Sequence, residues 1–276
     1  MSVRIDQVSE LLREVAALEI VPRFRELNEG DIEEKSKGDF VTIADRRAEL
    51  WLTPRLEKIV AGSRVLGEEA TAASPKLLSI VESDGPYWTV DPIDGTSNFI
   101  AGRETFGVMV SLVETGLVRQ AWIYLPMTDA LAVAEEGAGA FWYYAGKVEA
   151  ERITAGYGPK DIDKLRGAFN VRFMDEVWRD KIERFADMVP HKSGYLCSAW
   201  DYTDLARGLQ DLVTYHRMMP WDHAPGSLIL KEAGGVLRSL DKGKDYCPAM
   251  LGAPHMAARD RESWERFAEV IRRSAS

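Results

Sequence analysis

Two aspartates separated by two residues, Asp91 and Asp94, are the densest chemical signal of the sequence, and they directly follow the apolar run 88–90. Pro92 disfavours helical backbone at the residue before it, so we expect Asp91 to lie at the exit of a strand. Asp94 can then curl back beside Asp91. Two carboxylates with a backbone carbonyl between them make an all-oxygen site, which suits Mg²⁺ or Mn²⁺ rather than zinc.

The next two residues, Gly95 and Thr96, present successive amides and a hydroxyl where a helix can begin, and a helix start binds anions well. A plain structural explanation also fits this segment: Asp94 and Gly95 could form a surface turn, with Asp91 a solvated strand end. An EF-hand loop is excluded, because Gly95 stands at the fifth position from Asp91 instead of the sixth, and Gly102 occupies the twelfth, where a bidentate glutamate is required.

Three further acidic segments have residue types that allow the same chemistry. Thr42 and Asp45 are spaced as in a capping box at the start of a helix. Glu68 and Glu69 end an apolar strand, and Asp222 stands where an apolar helix begins. Each segment also has a plain structural explanation: a helix cap for Thr42 and Asp45, a charged loop for Glu68 and Glu69, and an N-cap for Asp222. Only the combination of the segments therefore supports a functional argument.

In this order and spacing, the four segments resemble those of the inositol monophosphatase family, which are Mg²⁺-dependent, lithium-sensitive phosphatases within the larger fructose-1,6-bisphosphatase fold group. The resemblance covers the chain from about Lys35 to Gly235. It implies an α/β (α+β) fold arranged as a layered αβαβα sandwich, and a homodimer. It also implies a metal site built from five oxygen-bearing residues: Glu68, Asp91, Ile93 through its carbonyl, Asp94 and Asp222.

The resemblance further implies how such a site works. Asp45 and Thr96 orient the attacking water, with Glu68 as a third catalytic residue. The amides of Gly95 and Thr96 hold the phosphate. Elementary chemistry supports a metal here, because hydrolysis of a phosphate monoester needs its charge neutralised and a nucleophilic water generated. Four clustered carboxylates without a cation would repel each other.

The substrate end of the pocket departs from the family pattern. Inositol-specific members carry a glutamate seven residues before the last metal-binding aspartate, where this sequence has Tyr215. Tyrosine keeps a hydrogen-bonding group but loses the charge. The family's Gly-Ser-Ala stretch begins here with Cys197. The substrate-binding residues that the resemblance implies are Asp94, Gly95, Thr96, Ser198, Ala199, Tyr215 and Asp222.

Several functions stay open at this point. The resemblance makes inositol monophosphate the first candidate substrate, with histidinol phosphate, fructose 1,6-bisphosphate and a phosphoadenosine nucleotide as alternatives. His216 and Arg217 fit either a second anionic group on the substrate or a solvated loop. A second class is a regulatory protein that uses this fold to bind RNA or transcription machinery. Such a protein would not need every acidic ligand position, and this chain keeps them all.

The composition favours an enzyme acting on a small phosphorylated metabolite. The 276 residues include 35 Lys and Arg against 44 Asp and Glu, a net charge of −9 that argues against a nucleic-acid partner. Disorder, collagen and coiled coil are excluded by the 46% hydrophobic content. The two cysteines lack the spacing of metal ligands, which predicts free thiols. No apolar run reaches the length of about 20 residues that a membrane helix needs, so no membrane partner is expected. The N-terminal residues lack the apolar core of a signal peptide, and with the free thiols this predicts a cytoplasmic protein.

Two packed halves must position these residues. The first, 1–150, reads as helices followed by an antiparallel meander and carries most of the metal ligands. Its opening helix is expected to end or bend near Val21-Pro22, and a second helix covers 50–60 with Pro54 in its first turns. The charged stretch 28–39 is expected to be a loop. A hairpin is predicted across the turn 114–116.

The second half, 151–276, closes the site with Asp222 and alternates strands with helices. Strands are predicted at 167–171, 212–215 and 236–237, and helices at 175–188, 198–208, 224–233 and near the C-terminus. Gly234-Gly235 caps the third of these helices.

Overall fold

A computed structural model describes residues 3–147, 149–192 and 194–274, and in it the chain alternates helical layers with two large β-sheets. The helices are α1 (Val3–Val15), α2 (Ile43–Ile59), α3 (Glu68–Ala73), α4 (Thr96–Ile100), α5 (Glu176–Asp187), α6 (Ser198–Ala206), α7 (Pro220–Glu232) and α8 (Arg261–Arg273). The strands are β1 (Ile32–Ser36), β2 (Asp39–Thr42), β3 (Arg64–Gly67), β4 (Tyr87–Asp94), β5 (Gly107–Glu114), β6 (Leu117–Leu125), β7 (Ala130–Glu135), β8 (Gly139–Tyr143), β9 (Glu151–Ile153), β10 (Arg166–Phe169), β11 (His191–Lys192), β12 (Leu212–Tyr215), β13 (Val236–Ser239) and β14 (His255–Ala258).

The larger sheet has seven strands in the order β3-β4-β5-β6-β7-β8-β9. Strands β3 and β4 run parallel, and each later pair is antiparallel. The predicted meander is therefore confirmed, as is the hairpin, whose turn joins β5 to β6. Strand β9 carries this sheet to Ile153, just past the boundary drawn at residue 150. The division into two halves stays a prediction.

Five layers result from the way in which the helices cover the two sheets. Helices α1 and α2 pack on one face of the larger sheet, and α6 and α7 fill the space between it and the smaller sheet, whose order is β11-β10-β12-β14-β13. Helices α5 and α8 cover the outer face of the smaller sheet. The αβαβα sandwich is thereby confirmed. Every residue of β4 is buried, as expected for a strand with helices on both faces.

The opening helical run reaches Pro22 as expected, passing after Val15 into a π-helical turn, Ala16–Ile20, and then into a 3₁₀ turn that contains Pro22. The first half differs from expectation in two other places. The predicted loop at 28–39 is wrong, because β1 and β2 form a hairpin there. Three of the five residues of β1 are charged, two of them the exposed Glu33 and Glu34, and they hide the alternation by which a strand is recognised. Helix α2 begins at Ile43, so Pro54 lies inside the helix and not in its first turns.

The second half differs mainly at α7 and in the strands of the smaller sheet. Helix α7 begins at Pro220, since proline suits the first helical position, so Asp222 lies in the first turn and Met219 is the N-cap. The N-cap explanation of Asp222 is therefore wrong. Strands β11 and β14 were not predicted, and β14 makes this sheet partly antiparallel. Within the described residues, no helix has the length and hydropathy needed to span a bilayer.

Candidate active site

The end of β4 places two aspartates at one edge of the larger sheet. Asp91 is 2% exposed, and its Oδ1 accepts a hydrogen bond of 3.0 Å from the backbone amide of Ile93. The pairing of β4 with β5 becomes irregular between Asp91 and Asp94, which lets the chain turn there. The sequence prediction that both carboxylates lie at a strand exit is confirmed.

Three carboxylates from separate elements converge at this edge. Glu68 begins α3 directly after β3, Asp91 lies on β4, and Asp222 lies in the first turn of α7. Because β3 and β4 are parallel neighbours, their C-terminal ends meet at the same edge of the sheet. One carboxylate oxygen from each of the three residues lies within 4.8 Å of the other two. We call Glu68, Asp91 and Asp222 the carboxylate trio.

The charges of the trio fit a hard divalent cation. Burial, followed by the charge of Glu68, raises the pKa of Asp91 and that of Asp222 well above the ordinary value. Like charges this close disfavour the ionised state unless a cation lies between them. Mg²⁺ prefers negatively charged oxygen ligands such as these carboxylates. The residues present therefore fit Mg²⁺, the ion that the resemblance implies.

Asp94 borders the trio and connects it to helix α6. Its Oδ2 accepts hydrogen bonds from the amide of Ala199, at 2.6 Å, and from the thiol of Cys197, at 2.9 Å. Burial raises its pKa to about 6, and these hydrogen bonds oppose that shift. Gly95 follows with φ +88°, and a Cβ there would lie 3.1 Å from the carbonyl oxygen of Thr105 and 3.2 Å from the Cβ of Cys197. Only glycine fits this position without strain.

Asp45 caps a helix and also contacts the site. Its Oδ2 accepts a 2.8 Å hydrogen bond from the amide of Thr42, and the reciprocal capping box is present. Its Oδ1 lies 3.1 Å from the hydroxyl of Thr96, which lies 3.0 Å from the carbonyl oxygen of Ile93. The structural and functional explanations of Asp45 are therefore compatible. Burial raises the pKa of Asp45 to about 7, and the charge of Glu68 adds to this shift.

Lys35 is a residue of the site that sequence reasoning did not single out. Its ammonium lies 2.7 Å from Glu68 Oε1 and 2.9 Å from Glu69 Oε1. Burial lowers the pKa of Lys35, but the charges of Glu68 and Glu69 outweigh burial and the net shift is upward. The signal that could have found it is the β1–β2 hairpin, which was predicted to be a loop and which carries this cation to the trio.

A cavity of about 490 Å³ opens beside the trio and extends toward the smaller sheet. Ser198, at the start of α6, and Tyr215, at the end of β12, line it, and their role in substrate binding stays a prediction. Arg217 lines it too, but its guanidinium lies 3.3 Å from Asp39 Oδ2. Arg217 thus already has an anionic partner within the protein, and binding of a second substrate anion there stays a prediction.

A second arginine binds the hairpin from the same side. Arg172 Nη2 donates to the carbonyl oxygen of Lys37 at 2.6 Å, and Nη1 donates to that of Gly38 at 3.3 Å. Both arginines come from loops at the edge of the smaller sheet. The turn of the β1–β2 hairpin is therefore held across the mouth of the cavity.

Comparison with known proteins agrees with this geometry. The sequence matches the Inositol monophosphatase family over residues 3–275. It is 32% identical over 221 residues to a fructose-1,6-bisphosphatase/inositol-1-monophosphatase of Aquifex aeolicus, covering 77% of each chain. It is 28% identical over 222 residues to a Nus factor SuhB of Vibrio cholerae, covering 77% of this chain and 76% of that one.

The fold is also that of solved structures. The chain superposes with a TM-score of 0.79 on an IMPase/NADP phosphatase complexed with Mg²⁺ and phosphate, at 19% identity and covering 97% of this chain and 94% of the other. That likeness supports the layer arrangement, while the sequence match over nearly the whole chain identifies the relatives. The chain belongs to the inositol monophosphatase family.

Proposed function

We propose that this protein is a Mg²⁺-dependent phosphatase of small phosphomonoesters, with inositol 1-phosphate among its substrates. The observation that carries the proposal is the carboxylate trio, Glu68, Asp91 and Asp222, at the mouth of a cavity large enough for a sugar-sized molecule. Such a cluster is costly in a protein that only binds a partner, because like charges this close raise each other's pKa.

Each element of the site has a role in this proposal. The trio, with Asp94 and the carbonyl of Ile93, holds Mg²⁺, and the chemistry that the bound ion supplies is neutralisation of phosphate charge and a lowered pKa of water. The amides of Gly95 and Thr96, at the turn where β4 ends, bind the phosphate oxygens.

The hydroxyl of Thr96 and the carboxylate of Asp45 orient the attacking water. Their hydrogen bond, 3.1 Å between Thr96 Oγ1 and Asp45 Oδ1, makes a path for the water's proton toward Asp45. A pKa of about 7 suits a group that accepts a proton near neutral pH. Glu68, the member of the trio that contacts Lys35, completes the catalytic set.

Four further properties belong to the same proposal. Mn²⁺ replaces Mg²⁺, because both ions take oxygen ligands. Lithium inhibits, the protein forms a homodimer and it acts in the cytoplasm, as the family resemblance implies. The regulatory alternative is less well supported, because the acidic trio and the net charge of −9 disfavour contact with RNA phosphates.

The test is phosphate release from a panel of phosphomonoesters with Mg²⁺ and with excess EDTA. We expect turnover with Mg²⁺, none with EDTA, and a loss of at least a thousandfold in Asp222→Asn. The matched control is Asp187→Asn, at an exposed aspartate at the end of α5 that forms an ion pair with Lys192; it should behave as wild type. Full turnover in EDTA, or no turnover of any phosphomonoester, would refute the proposal.

A further inference from the structure

Glu49 is a buried acid of α2 that the proposed mechanism does not use. It is 5% exposed, and both of its carboxylate oxygens accept hydrogen bonds from the start of α3. Oε2 accepts a bond of 2.8 Å from the backbone amide of Glu69, and Oε1 accepts one of 2.8 Å from the amide of Ala70. These two amides directly follow Glu68. The carboxylate of Glu49 therefore binds the backbone next to a member of the carboxylate trio.

Helix α3 receives no cap from its own N-cap residue. The first amides of a helix lack partners within the helix, and a side chain at the N-cap position usually accepts from one of them. The N-cap of α3 is Gly67, which has no side chain. The helix has only six residues, and helices this short are not stable alone. Glu49 thus supplies from α2 the acceptor that α3 needs, and its charge suits the positive end of a helix.

The glycine at position 67 makes room for this carboxylate. A Cβ on Gly67 would collide with Cδ and Oε2 of Glu49 and would lie 2.6 Å from Oε1. The backbone angles of Gly67, φ −92° and ψ 153°, are extended values that any residue adopts. The backbone conformation therefore does not call for glycine here. It is the carboxylate of Glu49 that excludes a side chain from position 67.

Glu68 is the member of the trio that depends most on such a support. Asp91 lies on a fully buried strand and accepts a hydrogen bond from the amide of Ile93. Asp222 lies in the first turn of α7, a helix of 13 residues. Glu68 instead begins the six-residue helix α3. Its position relative to the other two carboxylates therefore depends on what fixes the first turn of that helix.

Helix α2 contacts the chain just beyond both strands that lead into the trio. Asp45 lies four residues before Glu49, so the two acids share one face of α2. Asp45 lies 3.1 Å from the hydroxyl of Thr96, which follows β4, while Glu49 binds the helix that follows β3. One face of α2 thus aligns the end of β3 with the end of β4.

We propose that Glu49 is a positioning residue for Mg²⁺ binding, because by capping α3 it fixes Glu68 in the carboxylate trio. Gly67 is its necessary partner, since a side chain there would displace the cap. The effect of Glu49 on the ion passes through Glu68. This inference rests on the proposed function for the identity of the ion, but its test measures ion binding and does not require turnover.

The first test measures the Kd for Mg²⁺ by titration calorimetry. Glu49→Gln keeps the length of the side chain but leaves one oxygen for two amides. Hydrogen bonds that orient metal ligands typically change metal affinity by 10–100-fold, and we expect the Kd to rise by roughly that factor. At saturating Mg²⁺ the KM for inositol 1-phosphate should match that of the wild type, because Glu49 lies outside the set of residues that line the cavity.

Glu57→Gln is the matched control for this test. It removes the same charge from an exposed position further along α2 and should leave the Kd unchanged. An unchanged Kd in Glu49→Gln would overturn the proposal, and so would a lower Tm without a weaker Kd, which would show a structural role alone. An equal rise in the Kd of both variants would show an effect of charge and would overturn the positioning role.

A double variant tests the geometry directly. Gly67→Ser should weaken Mg²⁺ binding, because its side chain occupies the place of the carboxylate, and Glu49→Ala should weaken it because α3 loses its cap. In Glu49→Ala/Gly67→Ser the serine has room and, at an extended N-cap, can accept from the amide of Ala70. The double variant should therefore bind Mg²⁺ more tightly than either single variant.

Losses of affinity that simply add in the double variant would overturn the proposal. Absence of Mg²⁺ binding by the wild type would overturn both the positioning role and the proposed function. If Mg²⁺ binds with the expected order of affinities but no phosphomonoester is hydrolysed, the proposed function fails and the role of Glu49 stands.

Discussion

Replacement of Asp91 by asparagine should stabilise the protein in the absence of metal. Asparagine has nearly the same shape as aspartate, and its Oδ1 can still accept the hydrogen bond from the amide of Ile93. The charge that is lost repels two others, on Glu68 and Asp222, whose oxygens lie within 4.8 Å. The substitution therefore removes repulsion without opening a cavity.

The size of the effect follows from Coulomb's law. Two unit charges about 4.8 Å apart repel by roughly 3.5 kcal/mol at an effective dielectric constant of about 20. Protonation relieves part of this repulsion, since the pKa of Asp91 is already raised. We therefore expect a gain of about 2–3 kcal/mol in the free energy of unfolding, and about 2–4 °C in Tm for each kcal/mol in a protein of this size. The Tm in EDTA should rise by roughly 5–10 °C.

Mg²⁺ should reverse the order of the Tm values of the wild type and Asp91→Asn. A ligand present at about 100 times its Kd stabilises the native state by roughly 2.7 kcal/mol, and the wild type should gain this while Asp91→Asn gains much less. The assay is thermal unfolding at pH 8, with EDTA and with Mg²⁺, and Asp187→Asn serves as the charge-matched control. A lower Tm for Asp91→Asn in EDTA, or an equal Mg²⁺ effect in both proteins, would refute the account of the trio as a repulsive cluster that binds a cation.

Three further outcomes are expected. Thr96→Ala and Asp45→Asn should each lower kcat by roughly 10²–10⁴ with little change in KM, because they act on the attacking water; steady-state kinetics in which only KM changes would restrict these residues to binding. Lithium at millimolar concentration should inhibit phosphate release when Mg²⁺ is limiting, and insensitivity would show that the metal site differs from the family's. Asp201 of α6 is a buried aspartate whose pKa is raised by burial to about 7. The free energy of unfolding of the wild type should lose roughly 3–4 kcal/mol from Asp201 as the pH rises from about 4 to about 7, because the folded state holds this proton more tightly than the unfolded state does. Urea unfolding of Asp201→Asn should lack that loss, and parallel pH profiles would contradict the raised pKa.

Local residue order was enough to predict the centre of the site. The backbone restriction that Pro92 imposes on Asp91, and the glycine that follows Asp94, act within a few residues of each other. The apolar runs around them are continuous enough to mark buried strands. For this reason the exit of β4 and the hairpin between β5 and β6 were predicted correctly.

Features that depend on distant packing could not be predicted in this way. Lys35 reaches Glu68 only because a charged segment pairs as a hairpin, and the charged residues of β1 obscure the alternation of a strand. Asp201 follows the ordinary pattern of a helix acid, and its burial results from α6 lying between the two sheets. Neither the contact of Lys35 with Glu68 nor the burial of Asp201 can be predicted from a short stretch of sequence.

The hydrogen bond from Ala199 to Asp94 has a consequence for how such enzymes diverge. It uses a backbone amide, which every residue except proline supplies, so this hydrogen bond to Asp94 does not depend on the side chain at position 199. The same helix presents Asp201 to the cavity. The residues by which α6 lines the cavity can therefore change in evolution while the backbone hydrogen bond to the Asp94 carboxylate is kept.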